Sequence, residues 1–290
     1  MSWLINAAQL DKFRKNQKNI VILDASWYLS ANQKNPKDDF LNQHIVDSRF
    51  LDLNLFHDAT TTLPNMLSCD PDQIAHRVGE LGITRDHKII FYDQSPLHTS
   101  CRALWMFKVF GHNTHQLYIL DGGLTAWKQY GGMCEANEPT AKKKSYAVSL
   151  QTHLIRTLDA VKKNLHHPIE QVIDMRHPVR FAGGGEERPD MRSGHIPGSV
   201  SFPYFTMFDA NGCFKSTDKI KKQLTDVTID LNYPIVSTCG SAMTACILDF
   251  VLDLIEHKQH AVYDGSWSEW GVTTLYPGEI SLDERPIETC

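Results

Sequence analysis

The same series of motifs occurs twice in the 290-residue sequence, at an interval of about half its length. The spacing from Asp24 to His44 agrees within one residue with the spacing from Asp174 to His195. The corresponding segments are 21–25, 43–48, 89–93 and 119–123 in the first half and 172–176, 194–199, 235–239 and 262–266 in the second. A repeat of this length and order predicts two copies of one fold.

Each copy alternates short apolar runs with amphipathic stretches such as residues 103–110. Strands separated by helices predict an α/β fold, in which a mostly parallel sheet carries helices on both faces. We place an N-terminal domain at residues 1–134 and a C-terminal domain at residues 149–290. Residues 135–148 are polar and lack periodicity, so we interpret them as a linker.

Composition argues against several classes of protein. A net charge of −5 leaves no basic excess to neutralise phosphates, so we expect no binding to nucleic acid. The seven cysteines include no C-x-x-C pair, which favours free thiols in a reducing compartment over a disulfide framework or a zinc site. The sequence shows neither a signal peptide nor an apolar run of about 18 residues. We therefore expect a cytoplasmic protein without membrane contact, cofactor or metal.

Residues 234–245 contain the strongest candidate for chemistry. An apolar run rich in β-branched residues ends at Cys239, a turn of small residues follows, and apolar residues then recur with helical spacing. Cys239 is therefore expected between a strand and a helix N-terminus, where loop amides and the helix dipole stabilise a thiolate. The alternative is an inert core cysteine. The helical positions predict a single buried stripe: Met243, Cys246, Ile247, Phe250, Val251 and Leu254.

Several of these motifs together resemble the tandem rhodanese-domain sulfurtransferases over nearly the whole chain. The resemblance is carried by the duplicated pattern, by Gly-His-Ile-Pro-Gly at 194–198, by the Cys239 loop and by Asp-Gly-Ser-Trp at 264–267. It implies that the second domain carries the reactive cysteine and that the first is inactive. The repeat agrees, because Asp93 stands at the position that matches Cys239, and an aspartate cannot carry a transferable sulfur.

The resemblance implies that the Cys239 thiolate takes a sulfur atom from a donor as a persulfide, which a second nucleophile then collects. Gly240 and Ser241 follow the cysteine and are uncharged, which resembles the 3-mercaptopyruvate branch and suits a singly charged carboxylate donor. We therefore expect an enzyme that moves sulfur from 3-mercaptopyruvate to cyanide or to a thiol such as thioredoxin and releases pyruvate.

Two alternatives to this function stay open, namely a thiosulfate:cyanide sulfurtransferase and a persulfide carrier or binding module with little turnover. A third class, the cysteine phosphatases, is disfavoured. Such an enzyme needs an arginine at the end of the cysteine loop to grip phosphate, and Ala245 stands there.

Arg180 and Arg188 flank a glycine-rich segment, and an arginine fork holds a carboxylate with two parallel hydrogen bonds. The resemblance implies that both arginines bind the substrate. The alternative is a solvated loop in which they pair with Glu186 and Glu187. We assign four further substrate contacts to the cysteine loop: Gly240, Ala242, Met243 and Thr244. If residue 242 has a positive φ, its alanine costs about 1 kcal/mol.

Ser241 is the second candidate catalytic residue, because its hydroxyl can stabilise or protonate the enolate that forms as the donor loses sulfur. The resemblance implies that a serine here acts with an aspartate and a histidine of the first domain. Asn54 and Asn65 occupy the positions where those two residues are expected, and neither amide accepts a proton. Three outcomes stay open: protonation by water, help from His57, or a donor that needs no proton.

His195 is a further candidate general base. Its counterpart His44 occurs in the half that the resemblance implies to be inactive. We therefore predict a structural histidine that bonds to the backbone.

Overall fold

The computed structural model describes residues 3–29, 32–185 and 187–290. They form two compact units. The first unit extends to Ala59 and also contains Leu67–Gln151 and Phe208–Phe214. The second unit contains Thr60–Met66, Thr152–Met207 and Lys215–Cys290. One short segment from each half of the sequence thus belongs to the unit that the other half mainly forms.

The first unit is built on five parallel strands in the order β1-β6-β5-β2-β4, and a separate antiparallel ribbon joins β3 to β7. Its strands are β1 Leu4–Ile5, β2 Ile20–Asp24, β3 His44–Ile45, β4 Arg49–Phe50, β5 Lys88–Tyr92, β6 Leu117–Leu120 and β7 Cys134–Glu135. Its helices are α1 Ala7–Asn16, α2 Pro36–Asn42, α3 Pro71–Glu80, α4 Ser100–Val109 and α5 Gly123–Gln129.

The central strands β2 and β5 are mainly β-branched and aromatic, as is typical of a parallel sheet buried on both faces. Their register pairs Val21 with Ile89 and Asp24 with Tyr92. Because the two strands run in the same direction, their carboxyl ends bring Asp24 and Asp93 to the same edge of the sheet.

The second unit repeats this topology. Its five parallel strands follow the order β10-β9-β11-β12-β8, which matches the first sheet strand for strand when the reading starts from the other edge. The strands are β8 Ile155–Arg156, β9 Gln171–Asp174, β10 Val200–Ser201, β11 Ile235–Thr238 and β12 His260–Tyr263. The helices are α6 Leu158–His166, α7 Pro178–Phe181, α8 Thr217–Asp226, α9 Ala245–Leu254 and α10 Ser266–Trp270. The predicted α/β fold with two mostly parallel sheets is confirmed.

Helix α9 differs from the prediction of one buried stripe. It begins at Ala245, two residues after Met243, and its residues are buried on every side up to Leu252, including Asp249. Leu254 is only partly buried. The helix packs on β11, β12 and the 3-10 turn Tyr204–Met207, so burial extends around the helix and the stripe alone is too narrow a description.

We interpreted residues 135–148 as a linker, but this segment packs on the first unit. β7 pairs with β3, the amide of Lys144 donates to the carbonyl of Gly79, and Tyr146 is 3% exposed. Backbone hydrogen bonds and one aromatic anchor hold the segment. Neither produces a periodic pattern in the sequence, so polarity alone suggested a linker.

The helices are short, and the longest that the structure describes have ten residues. A helix needs about 20 apolar residues to cross a bilayer. Within the described ranges, no helix combines the length and hydrophobicity of a membrane span.

Candidate active site

Cys239 directly follows β11, the central strand of the second sheet, as predicted. The residue is 2% exposed, which by itself also fits the alternative of a core cysteine. However, the guanidinium groups of Arg180 and Arg188 both interact electrostatically with Cys239. Two cations near one buried sulfur are typical of a reactive cysteine.

Ser266 determines the shape of the loop after Cys239. Its Oγ accepts hydrogen bonds from the amides of Cys239 and Ala242, both at 3.2 Å, and donates to the carbonyl of Tyr263 at 2.8 Å. Ala242 has φ +57°, so the positive φ considered from the sequence is present. We did not predict a role for Ser266 individually, although it lies in the Asp-Gly-Ser-Trp motif at 264–267.

The loop has two groups of amides. Those of Cys239 and Ala242 donate to Ser266, so they are not among the loop amides available to stabilise a thiolate. The other four donate no hydrogen bond within residues 3–29, 32–185 and 187–290: Gly240, Ser241, Met243 and Thr244. They lie just before α9, and backbone amides without a partner at a helix N-terminus form an anion-binding site.

Arg180 lies at the end of α7 and combines two contacts. Its Nε and Nη2 donate to the two carboxylate oxygens of Glu187 at 3.0 and 2.6 Å. Its Nη1 lies 3.7 Å from the point where a Cβ on Gly240 would be. Burial acts to lower the pKa of Arg180, but the bonds to Glu187 outweigh it and the pKa is raised. The ion pair proposed as the alternative is therefore present, and one edge of the guanidinium still lies near the cysteine loop.

Glu187 links Arg180 to a buried ion-pair network. Its side chain is 4% exposed, and Oε1 lies 3.5 Å from Nη1 of Arg176, which pairs in turn with Asp174 at the end of β9. The network fixes Glu187 and hence the orientation of Arg180. Glu186, the other acid of the alternative interpretation, lies outside the described residues.

Arg188 is solvent-exposed, but its head group is held in place. Nη2 donates to Ser268 Oγ at 2.7 Å, and the amide of Ser268 donates to the carbonyl of Gly240 at 2.8 Å. Burial of the guanidinium and the nearby positive charge of Arg180 lower the pKa of Arg188. The mutual repulsion of the two cations makes this position favourable for an anion.

Ser241 and Asn65 are in contact, and both belong to the second unit. Asn65 Nδ2 donates to Ser241 Oγ at 2.8 Å, and Asn65 has φ +62°. Asn65 was expected on the first domain, but it lies in Thr60–Met66, which belongs to the second unit. In the first unit, the side chain of Asn54 accepts from the indole of Trp27 and donates to Asp52, both at 3.0 Å.

The four additional loop positions differ in exposure. Gly240 is half-buried, and so is its neighbour Ser241, which is not one of these four positions. The other three residues are at most 8% exposed: Ala242, Met243 and Thr244. Because their side chains are buried, the groups of these three residues that remain available to a ligand are backbone atoms, and the amides of Met243 and Thr244 donate no hydrogen bond within the part of the chain that the structure describes.

His195 is structural, as predicted. Nδ1 lies 2.7 Å from the carbonyl of Phe181, and the ring stacks on Phe181 with centroids 3.7 Å apart. His44 repeats the arrangement with Phe40, at 2.7 Å and 4.0 Å. The duplicated motif therefore maintains the fold of each unit.

Asp93 occupies in the first unit the place that Cys239 has in the second, at the end of the central strand. Its two carboxylate oxygens accept from the amides of Ser95 at 2.9 Å and Ser100 at 2.8 Å. Burial raises the pKa of Asp93 to about 6. The side chain thus uses loop amides itself and offers no sulfur.

The model of the rhodanese-like domain family matches the chain twice, at residues 6–130 and 157–273. The Arabidopsis thaliana protein named thiosulfate/3-mercaptopyruvate sulfurtransferase 1, mitochondrial, is 34% identical over 91% of this chain and 74% of its own length. The Homo sapiens 3-mercaptopyruvate sulfurtransferase is 33% identical over 86% of this chain and 84% of its own length.

Among solved structures, SseA from Escherichia coli, described as one of the 3-mercaptopyruvate sulfotransferases, superposes with a TM-score of 0.83 at 28% identity. The match covers 92% of this chain and 99% of SseA. Each rhodanese-like match falls mainly within one of the two units, and the cysteine loop lies within the second match. The chain therefore belongs to the rhodanese-like family, among its sulfurtransferases with two rhodanese-like domains.

Proposed function

We propose that this sulfurtransferase takes sulfur from 3-mercaptopyruvate on Cys239 and passes it to a thiol or to cyanide. The observation that carries the proposal is the presence of two guanidinium groups, those of Arg180 and Arg188, at a cysteine loop whose next residues are uncharged. A carboxylate of single charge is neutralised by such a pair without further cations in the loop.

The donor is held by its carboxylate in this proposal. Nη1 of Arg180 and the free edge of Arg188 bind the carboxylate oxygens, since the remaining nitrogens of Arg180 are used by Glu187. The free amides before α9 stabilise the negative charge on sulfur. The half-buried Gly240 leaves space for the donor where a side chain would approach Arg180.

In the first step the Cys239 thiolate attacks the donor sulfur, and an S–S bond forms as the C–S bond breaks. The electron pair of the broken bond remains on the organic fragment as the enolate of pyruvate, which takes a proton to become pyruvate. In the second step an acceptor thiolate attacks the outer sulfur of the persulfide. The acceptor leaves as its own persulfide, and the Cys239 thiolate is restored.

The acceptor that we propose is a thiol, and thioredoxin or another dithiol protein suits the second step. A dithiol can release the transferred sulfur as sulfide by closing its own disulfide. Each turnover then yields sulfide and the oxidised acceptor. Cyanide attacks the same outer sulfur and yields thiocyanate.

Intact mass spectrometry tests this function. The protein is incubated with 3-mercaptopyruvate without an acceptor, and we expect the mass of one added sulfur atom together with one equivalent of pyruvate. Cys239→Ser is expected to gain no sulfur, and Cys246→Ser serves as the matched control because Cys246 is fully buried in α9. Sulfur loading of Cys239→Ser would contradict the proposal.

Thiosulfate is the second candidate donor, and the contact between Asn65 and Ser241 favours it. An amide cannot pass a proton to a leaving group through Ser241. Sulfite leaves thiosulfate without needing a proton. Comparison of kcat/KM for the two donors decides between them, while absence of turnover with both donors would favour the carrier or binding module.

We propose that the protein works in a reducing compartment and expect the cytoplasm. Within the described residues, no disulfide involves any of the seven cysteines. One Arabidopsis thaliana relative is named as mitochondrial, so fractionation with a cytoplasmic and a mitochondrial marker is the decisive measurement.

A further inference from the structure

Asn65 limits what the hydroxyl of Ser241 can do. Asn65 Nδ2 donates to Ser241 Oγ at 2.8 Å, so one lone pair of the hydroxyl oxygen is used. An amide nitrogen has no lone pair for accepting a hydrogen bond. The proton of Ser241 therefore cannot be shared with the group that contacts its oxygen, and it is free to point to a different acceptor.

The position of Ser241 indicates that acceptor. Ser241 is half-buried and stands two residues after Cys239 and directly after Gly240, where a Cβ would lie 3.7 Å from Nη1 of Arg180. The buried side chains of the loop point inward, whereas Ser241 and Gly240 are the loop residues open to solvent. A donor bound at the two arginines lies on this open side, so its oxygen atoms are the acceptors that Ser241 meets.

The backbone at residue 65 supports a fixed contact. Asn65 has φ +62°, in the left-handed region that asparagine tolerates better than most residues with a side chain. The short side chain has few rotamers, so little entropy is lost when it is held against Ser241. Residue 65 thus combines a backbone conformation suited to asparagine with a side chain that can donate.

We infer that Asn65 is a positioning residue that keeps Ser241 as a hydrogen-bond donor to the substrate and prevents it from acting as a proton relay. The inference rests on the proposed function with 3-mercaptopyruvate. As the C–S bond breaks, Ser241 donates a hydrogen bond to the enolate oxygen and keeps its own proton. The enolate carbon takes its proton from water, and the proton of the donor thiol stays on the outer sulfur until the persulfide releases it to solvent.

Asn65→Asp is the sharpest test, because it keeps the shape and replaces a donor by an ionised acceptor. The new carboxylate attracts the proton of Ser241 away from the substrate. We expect kcat with 3-mercaptopyruvate to fall by about 10- to 100-fold, which is at or below the loss found when one donor to an oxyanion is removed. KM is expected to change by less than about 3-fold, and activity relative to wild type recovers at acid pH, where a protonated carboxyl can donate again.

Thiosulfate distinguishes this effect from simple repulsion. Sulfite leaves without protonation and carries the same charge as the enolate of pyruvate, while thiosulfate carries more charge than 3-mercaptopyruvate. Repulsion by the new carboxylate would therefore slow thiosulfate at least as much as 3-mercaptopyruvate. We expect a loss with 3-mercaptopyruvate alone. Asn65→Asp added to Ser241→Ala is expected to cause no further loss, since the hydroxyl through which it acts is gone.

The possible results separate this inference from the proposed function. If wild-type Cys239 takes no sulfur from 3-mercaptopyruvate, both fall. If wild type loads but Asn65→Asp turns over as fast at neutral pH, Asn65 accepts the proton of Ser241 and the inference alone is overturned. An equal loss with both donors, or an additional loss in the Ser241→Ala background, also overturns it. Circular dichroism and sulfur loading of each variant show whether it is folded.

Discussion

Arg188 is held in place by Ser268, whose Oγ accepts from Nη2 of the guanidinium at 2.7 Å. The same hydroxyl donates to the carbonyl of Gly240, and Ser268 is 2% exposed. A buried serine in α10 therefore determines where an exposed arginine lies relative to the residue after Cys239. Without that contact, the long side chain of Arg188 has many rotamers available in solvent.

Ser268→Ala is expected to weaken donor binding. Loss of a hydrogen bond to a charged group is worth about 1.5 kcal/mol, which corresponds to roughly a tenfold rise in the KM for 3-mercaptopyruvate. We expect kcat to change little, because Cys239 and Ser241 are untouched. Steady-state kinetics with pyruvate as the measured product tests this. If Ser268 acts through Arg188, Ser268→Ala adds little to Arg188→Ala, and a fully additive pair would contradict this explanation.

Arg180→Lys is expected to raise KM by about tenfold, since a lysine cannot bond both oxygens of Glu187 and also reach toward Gly240. Arg156→Lys provides a matched control. Arg156 on β8 holds Glu170 with a similar fork, at 2.7 to 3.1 Å, on the edge strand of the same sheet. Equal rises of KM in both variants would show that general loosening of the unit, and not the site, is responsible.

Much of the fold follows from the sequence. The duplicated motifs predicted two copies of a parallel sheet, and the two strand orders are the same. The predicted position of Cys239 after a buried strand is also confirmed. In each case a local pattern of apolar and small residues determines the result. Segment 135–148 was misjudged because its attachment depends on distant backbone partners such as Gly79.

The contacts of the site are harder to predict, because they join residues far apart in the sequence. Arg188 and Ser268 are separated by 80 positions, and Asn65 and Ser241 by 176. Serine hydroxyls give no sequence signal that tells a loop anchor from a solvated side chain. Ser266 was visible only as part of a motif, and nothing in the sequence distinguished Glu187, which pairs with Arg180, from its neighbour.

Ala242 is expected to tolerate glycine but not valine. Its φ of +57° costs an alanine about 1 kcal/mol, which glycine relieves. Its methyl group is fully buried, and removal of that group costs about 0.8 kcal/mol. These effects nearly cancel, so Ala242→Gly should change the free energy of unfolding by less than about 0.5 kcal/mol.

Ala242→Val adds a β-branched side chain in the left-handed region within a closed space, and we expect a loss of more than about 2 kcal/mol. Urea unfolding followed by fluorescence measures both variants. Ala261→Val, in the buried part of β12, is the control for overpacking in a strand, where a β-branched residue suits the backbone. A valine at residue 242 that costs no more than the one at residue 261 would show that the backbone conformation carries no penalty.

Because of two buried carboxyls in the first unit, we expect the free energy of unfolding to fall as the pH rises. Burial raises the pKa of Asp24 to about 6, and burial likewise raises that of Asp93 to about 6, from the usual value of 3.8. Between these values the folded chain keeps protons that the unfolded chain releases. The free energy of unfolding therefore falls as the pH rises from about 4 to about 6, by an amount on the order of 3 kcal/mol per group.

Asp24→Asn removes one of these groups while retaining an oxygen that can accept from the amide of Ser26, which Asp24 binds at 2.9 Å. Other carboxylates titrate in the same range, so the informative quantity is the difference between variant and wild type. We expect Tm to fall less in the variant between about pH 4.5 and pH 6.5, by at least about 2 °C. If Tm falls equally with pH in the two proteins, Asp24 is ionised across the whole range. If Tm falls more steeply in the variant, Asp24 stabilises the folded chain as the pH rises, which contradicts the prediction.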